Sequence, residues 1–557
     1  MSDRAACATG LRVFRAGWTV FVVLATTVPY GLNLMAAPSG SHYTWIVPPY
    51  PEDSLAYRAW SQQAAHGSLL FQLKYTALPH AAFLFQPLFL ICGWISAVFH
   101  CDIGIVHLVV KAVGVVLFLA AFYGYTDFLQ LSGFQSMLAS VLAGVSSGLG
   151  GFIALFLSDR PAAISADLWV VDSNTYWSLL WNPLFPYSLA LMLLAIHWLD
   201  RGTRDGRPSD LWRSGLATGL QILIHPYSQP LLFALTLVLI VLRRRAEAAG
   251  YLCRYALAVL PFALYVDSVA ILHPLLSRHS SSGAMVSPAL SAYLLGFGLP
   301  LLLSVAGLAA GWRWMVVDRP AVPLWFVLSL ALAYVPFWFQ RKLIFGAHGP
   351  LCIMAGMAPD LILARLPRLE TRRWIRGAAL AILLPSIAVT PVYLLVSEFR
   401  EAQANANGAY FISEEMMEGL RFLREKSDPS SVVFATPSTS HLIPAFSGNT
   451  VVWGHWAMSV DRKERDAWFA DLFKQGSDWS DEKRAREFWG TRIDYIFADT
   501  RLNSWIQQNL QAWQVILADA DQVFANASVV IYRHRDSPKA RFPGRGVGSP
   551  HAGSTRG

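Results

Sequence analysis

The sequence predicts an all-α polytopic membrane protein, with about 11 to 13 transmembrane helices and a small C-terminal α/β domain. Three observations predict it. More than half of the 557 residues are hydrophobic and only 14% are charged, whereas soluble domains carry about 25%. Apolar runs of about 18 to 25 residues recur, the length that crosses about 30 Å of hydrocarbon. After Ser397 the composition changes, and short strand-like and helix-like segments alternate.

The elements follow in chain order. Arg4, Arg12 and Arg15 accompany an apolar run over Val13–Met35. The run is too long for a cleaved signal peptide, so it predicts an uncleaved first helix. Further spans are predicted near 80–100, 103–128, 134–157, 183–199, 214–225, 227–242, 255–275, 289–310, 321–339, 348–364 and 377–396. Basic loops at Arg201–Arg213, Arg243–Arg254, Trp312–Arg319 and Arg365–Arg376 belong on the cytoplasmic side. The N-terminus joins them there. The loops near 36–79, 158–182, 276–288 and 340–347, and everything after Ser397, then fall on the opposite side.

Three apolar segments separate loops 36–79 and 158–182, where an even number of crossings is needed. Either one segment is re-entrant, or the break Ser146-Ser147-Gly148-Leu149-Gly150-Gly151 splits one. At His225-Pro226 two short apolar halves meet. Irregular backbone at that depth is buried in protein or faces a water-filled cavity.

The chain divides into a membrane region 1–397, a domain 398–535 and a Pro-, Gly- and Ser-rich tail 536–557 that predicts disorder. In the domain, Met417, Leu420 and Leu423 recur at helical spacing over Glu414–Lys426. Helices are also predicted at Lys463–Gln475 and Asp481–Trp489. Strands are predicted at Ser431–Ala435, Thr450–Trp453 and Tyr495–Ala498, with Val515–Leu517 pairing Val529–Tyr532.

Net charge is +8. From Glu398 onward, 19 Lys and Arg face 20 Asp and Glu, so the basic excess belongs to the membrane region and its short loops. It is a topology signal and not a nucleic-acid surface. Cys7, Cys92, Cys101, Cys253 and Cys352 form neither a disulfide framework nor a zinc spacing. Walker, dinucleotide, nucleophile-elbow and metalloprotease motifs are absent from the sequence.

The chemistry-bearing residues cluster in loops assigned to the outer side. Pro48-Pro49-Tyr50-Pro51-Glu52-Asp53-Ser54 presents two adjacent carboxylates on a stiffened approach. Asp53-Ser54 can cap a helix over Leu55–His66, an interfacial helix whose face carries Asp53, Tyr57, Trp60 and Ala64. Asp53 is thus either a positioned base or only a cap, with Glu52 as the second candidate base. In the next outer loop, Asp172 can orient an acceptor or bind a divalent cation through oxygen ligands. Alternatively Asp172 or Ser173 caps the following helix, and Asp159 and Asp167 share that loop.

Gln340-Arg341-Lys342 places two cations at the outer headgroup level, suited to a phosphate or to lipid headgroups, with His348 following. His107, Lys111 and Asp267 are intramembrane ionisable residues, and Lys111 can pair with Asp102 or Asp127. His225 sits at its helix break. His455, between Gly454 and Trp456, is either presented toward the membrane or a packed surface histidine.

Glu52-Asp53-Ser54-Leu55-Ala56-Tyr57 resembles the first-loop acidic motif of the GT-C glycosyltransferases. So do the layout of one span, a long outer loop, many further spans and a C-terminal outer domain. Asn174-Thr175-Tyr176 through Asn182-Pro183, His225-Pro226, Gln340-Arg341-Lys342, and Leu442-Ile443-Pro444-Ala445 to Gly454-His455-Trp456 resemble a bacterial GT-C-like branch. The resemblance implies a bacterial inner-membrane enzyme that transfers a sugar from a polyprenyl-phosphate donor to a lipid, glycan or protein acceptor. It implies Asp53, then Glu52, as base. Asp172, Asn174, His225, Gln340, Arg341, Lys342, His348 and His455 would line the substrate site. Two other classes compete. A transporter or flippase calls for inverted repeats and ionisable residues near the bilayer midplane; no repeat is evident, and the suggestive charges cluster at the outer face. A non-catalytic assembly protein predicts that Asp53→Asn leaves function intact.

Overall fold

The structure is a computed structural model that describes residues 2–157, 160–279, 284–363, 369–405, 408–472 and 480–537. Asp159, residues 473–475 of the expected helix Lys463–Gln475, part of the basic loop after Leu363 and the tail from 538 lie outside the described residues.

The membrane region opens with α1 (Ser2–Met35), followed by strand β1 (Ser41–Tyr43) and helix α2 (Pro51–Ala65). Then come α3 (Pro87–Phe99), α4 (Ile103–Phe128), α5 (Gly133–Val145), α6 (Gly150–Phe156), α7 (Pro161–Ile164) and α8 (Thr175–Trp181). The series continues with α9 (Leu184–Asp205), α10 (Asp210–Ile224), α11 (Gln229–Arg244), α12 (Ala248–Leu272), α13 (Pro274–His279) and α14 (Leu290–Ala310). It closes with α15 (Ala321–Leu332), α16 (His348–Leu363) and α17 (Leu369–Ala404).

The helix starts have local causes. Gln86 and Asp102 accept backbone N–H groups at the heads of α3 and α4, and Ser132 with Gln135 forms a capping box on α5.

Among the described residues, five helices are long and apolar enough to cross a membrane, or six if the bent pair α5–α6 is one span. The 11 to 13 crossings read from the sequence are not all met by full-length helices. Several apolar runs form shorter ones: α3 has 13 residues, α15 12, α10 15 and α11 16. At 1.5 Å per residue these are about 18–24 Å long.

The Ser146–Gly151 break separates α5 from α6, which meet at 52°, the geometry of a broken span or a re-entrant loop. It crosses a second break, in α14, where Gly298 has φ +44°. The backbone groups freed at the first break find partners on other helices. Leu149 N–H donates to Leu295 O at 2.9 Å. Thr390 Oγ1 donates to Gly148 O at 2.9 Å and accepts from Gly151 N–H at 2.8 Å. A broken helix inside a membrane needs such replacements.

Glycine is obligatory here, because a Cβ on Gly148 would lie 2.3 Å from the Gly296 backbone. Gly148→Ala is therefore expected to destabilise the protein by about 1–3 kcal/mol, read as an earlier thermal transition in detergent. Gly124→Ala, with open space around it, should leave the transition in place.

One end of the bundle is closed by ion pairs of the basic loops. Arg201 and Arg213 both bind the buried Asp210, and Arg243 binds the fully buried Asp200 at 2.5 Å. At the other end α17 runs through the boundary expected at 397–398 and delivers the chain to the C-terminal domain. That domain comprises β2 (Phe411–Ser413), α18 (Glu414–Lys426), β3 (Val432–Phe434), α19 (Pro437–Phe446) and β4 (Thr450–Val451). It continues with α20 (Arg462–Leu472), α21 (Asp481–Gly490), β5 (Tyr495–Ala498), α22 (Thr500–Gln508), α23 (Leu510–Ala518), β6 (Ala520–Ala525) and β7 (Val530–His534).

The five-stranded sheet has the order β4-β3-β5-β7-β6, with β4, β3 and β5 parallel and the last two antiparallel. The expected strand at Val515–Leu517 is instead part of α23, and β6 is the partner of β7. Trp513 and Ile516, three residues apart, are both fully buried. That is helical spacing, which a three-residue apolar run does not reveal.

The first loop is built into this domain. β1 pairs antiparallel with β2, Ser41 opposite Ser413 and Tyr43 opposite Phe411. Tyr43, Leu55, Ala56 and Tyr75 share one apolar core with Leu420, Val433, Val451 and Tyr495. Helix α2 is accordingly packed on two sides, against α3 and α19, and does not lie free at headgroup level.

Candidate active site

Helix α2 begins earlier than its sequence suggests. Pro51 occupies its first position, and Tyr50, at φ 60°, is the residue before it. Proline is preorganised for that position, and Glu52 and Asp53 in the first turn favour the helix dipole. Asp53 is therefore not the helix cap: no side chain caps this helix.

The Asp53 carboxylate points to the C-terminal domain. Its Oδ1 accepts from His455 Nε2 at 2.8 Å and from Trp456 Nε1 at 3.3 Å. Because His455 Nδ1 accepts the Ala457 N–H at 3.1 Å, the ring proton sits on Nε2. This is a neutral imidazole donating to a carboxylate. His455 is 2% exposed, whereas the Asp53 side chain keeps 17% of its surface. Both donors take Oδ1, and Oδ2 has no hydrogen-bond partner among the described residues. Gly454 makes the approach possible, since a Cβ there would lie 2.8 Å from the Tyr75 ring.

The two adjacent carboxyls are driven apart. Burial pushes Asp53 up, but the His455 and Trp456 hydrogen bonds and the Lys342 charge outweigh it and hold Asp53 below its ordinary value. Burial pushes Glu52 up, and the Asp53 charge adds to it. Of the pair, Asp53 is the one that gives up its proton at lower pH. Nearby, burial pushes His441 down to about 3.

The facing wall comes from the membrane region. Tyr50 donates from its hydroxyl to Trp169 O at 2.8 Å, and the Arg341 guanidinium lies 4.9 Å from the Trp169 ring centroid. That guanidinium makes no hydrogen bond or ion pair with a described residue, and its Nε is buried without a partner. Lys342 pairs with the buried Asp172 at 3.1 Å. Gln340 opens the 3-10 turn that carries both cations. Burial pushes the Tyr57 hydroxyl up, and the charges of Asp53 and Asp172 add to it, which places both carboxylates around it.

The structure thus brings Glu52, Asp53, Asp172, Arg341, Lys342 and His455 to one region and gives the other candidates local roles. Asn174, and neither Asp172 nor Ser173, caps α8: its Oδ1 accepts from Trp177 N–H, while its Nδ2 donates to Ser146 O and Ser147 Oγ. His348 is 1% exposed and bridges Thr175 and Ser146. His225 is held by Ser228 and stacks near Phe345 at 4.6 Å, next to the Phe185 ring that Lys342 overlies. Asp167 is held by Ser147 and Ser165, and Asp267 accepts from Gln229.

Lys111 pairs with neither Asp102 nor Asp127, which bind Arg58 and Arg15. It donates to Thr26 O and Leu180 O beneath the Tyr30 ring. No group of three or more His, Cys, Asp or Glu among the described residues could hold a metal ion, and Asp172, the carboxylate nominated for a divalent cation, pairs with Lys342. Sequence reasoning missed Trp456 and Trp169 as site residues, although Trp456 stands beside His455 in a motif it quoted.

No family model and no curated protein matches the chain. Solved structures do. ArnT from Cupriavidus metallidurans in the apo state has 14% identity and a TM-score of 0.48, over 93% of this chain and 98% of that one. The archaeal oligosaccharyltransferase AglB from Archaeoglobus fulgidus has 14% identity and a TM-score of 0.46, over 90% and 71%. The arabinofuranosyltransferase AftD from mycobacteria has 13% identity and a TM-score of 0.48, over 92% and 41%. All three are polytopic membrane glycosyltransferases of the GT-C type.

Proposed function

We propose that this chain is a membrane glycosyltransferase that moves a sugar from a polyprenyl-phosphate donor to an acceptor hydroxyl at the outer face of a bacterial inner membrane. The observation that carries it is Asp53: a carboxylate bound by His455 and Trp456 through one oxygen, with no partner on the other oxygen among the described residues.

An acceptor hydroxyl needs a base within hydrogen-bond reach. In this reading the hydroxyl proton passes to Asp53 Oδ2 as the acceptor oxygen bonds to the anomeric carbon. The carbon–oxygen bond to the lipid phosphate breaks, and its electron pair leaves on the phosphate. Arg341 and Lys342 meet that growing charge, while Asp172 fixes Lys342. Direct displacement inverts the anomeric centre. The testing experiment is transfer by purified membranes supplied with a polyprenyl-phosphate sugar, with mass spectrometry of the lipids and glycans that change when the protein is removed. Absence of any changed glycan would sink the reading.

A pH profile separates the two carboxyls. Transfer should fail as Asp53 becomes protonated, so the acid limb of kcat/KM reports its ionisation. His455→Ala removes a donor to the anion, and burial then raises Asp53. The acid limb is expected to move to higher pH, whereas Glu52→Gln should leave it in place. A limb that moves with Glu52→Gln and not with His455→Ala would transfer the base role to Glu52.

A further inference from the structure

We propose that the groove between α1 and α17 binds one amine-headed phospholipid of the surrounding bilayer. The groove encloses about 400 Å³. Along α1 its wall runs from Phe21 through Leu24 and Val28 to Leu32, about 17 Å at 1.5 Å per residue. These side chains are apolar and half exposed. Polar side chains enter only at the end next to the C-terminal domain, as Asn33 from α1 and Glu398 from α17. A long apolar trough with one polar end has the form of an acyl chain and its headgroup.

Glu398 identifies the head. It is 6% exposed, and both carboxylate oxygens are buried without a hydrogen-bond partner among the described residues. The Trp177 indole lies beside it, but its Nε1 is likewise without a partner in bonding geometry. A buried polar group left in this state is costly and calls for a partner. An ammonium group supplies up to three donors and the opposite charge, giving charge-assisted hydrogen bonds. A head that carries phosphate alone brings acceptors and no ammonium donor to these two oxygens, so an isoprenyl phosphate or phosphatidylglycerol is the wrong occupant.

The test uses the full chain in nanodiscs of equal phosphatidylethanolamine and phosphatidylglycerol, released into mild detergent and weighed by native mass spectrometry. Phosphatidylethanolamine is expected to be retained over phosphatidylglycerol by about tenfold, a difference of about 1.4 kcal/mol. Glu398→Gln should bring the ratio to parity. Val28→Trp, which fills the trough from its exposed side, should remove the bound lipid while the protein stays monodisperse. Asp53→Asn should retain the lipid as the parent does, which separates this site from the catalytic reading. Equal retention of the two lipids by the parent, unchanged selectivity in Glu398→Gln, unchanged retention in Val28→Trp, or retention of an isoprenyl phosphate would each overturn the proposal.

Discussion

Asp53→Asn is expected to lower kcat by about 10²–10⁴-fold, the usual contribution of a positioned general base, with little change in stability. The substitution is a clean one. An asparagine carbonyl can keep the Oδ1 position and accept from His455 and Trp456 as the carboxylate does. Its amide nitrogen then occupies the open position, where it donates a hydrogen bond and cannot take a proton. Binding of donor and acceptor should survive, so the loss should fall on kcat rather than KM. Purified Asp53→Asn protein with an unchanged thermal transition and full transfer activity would remove Asp53 as the base and pass that role to Glu52.

The second large effect is expected at Lys342. Lys342→Met removes one of the two cations that face the departing phosphate, and a loss of about 10²–10³ in kcat follows from removing a donor to developing charge. The same change leaves Asp172 buried with no counter-ion, a loss of about 3–5 kcal/mol for a broken buried pair. Activity and stability would then fall together, and the single variant cannot separate them. The double variant Lys342→Met/Asp172→Asn can. It replaces the whole pair with neutral groups, so stability should return toward the parent while kcat stays low. If transfer recovers with stability, the pair is structural and Arg341 alone meets the leaving group. Arg341, stacked on Trp169 with its guanidinium open, is the internal comparison, because Arg341→Met breaks no ion pair among the described residues.

Much of the domain's secondary structure was legible from periodicity. The helix over Glu414–Lys426 stands where its helical recurrence placed it, with Leu420 and Leu423 buried, and the strand over Tyr495–Ala498 stands where its short apolar run placed it, buried at all four positions. The helix break at Ser146–Gly151 was legible as a break, since its glycines and serines interrupt an apolar run. Its purpose was not. The partners of its backbone groups come from α14 and α17, about 150 and 240 residues further along. Val515–Leu517 was read as a strand because three apolar residues are too few to show a period.

Residue types and their grouping within loops were enough to nominate Asp53, Asp172, Arg341, Lys342 and His455 and to assign the protein to the membrane. They could not decide whether Asp53 caps a helix. Tertiary structure shows that it does not and gives its carboxylate a partner 402 positions away: β1–β2 pairing and a shared apolar core bring the C-terminal domain onto α2, and His455 onto the Asp53 carboxylate. The physical reason is general. Helix propensity is set by neighbours in sequence, whereas the burial and protonation of a carboxyl are set by whichever groups the fold delivers to it. The same distinction separates Arg341 from Lys342, adjacent in the chain and alike in charge. Only the fold, by placing Asp172 against one and Trp169 against the other, made one of them half of an ion pair and left the other free for a ligand.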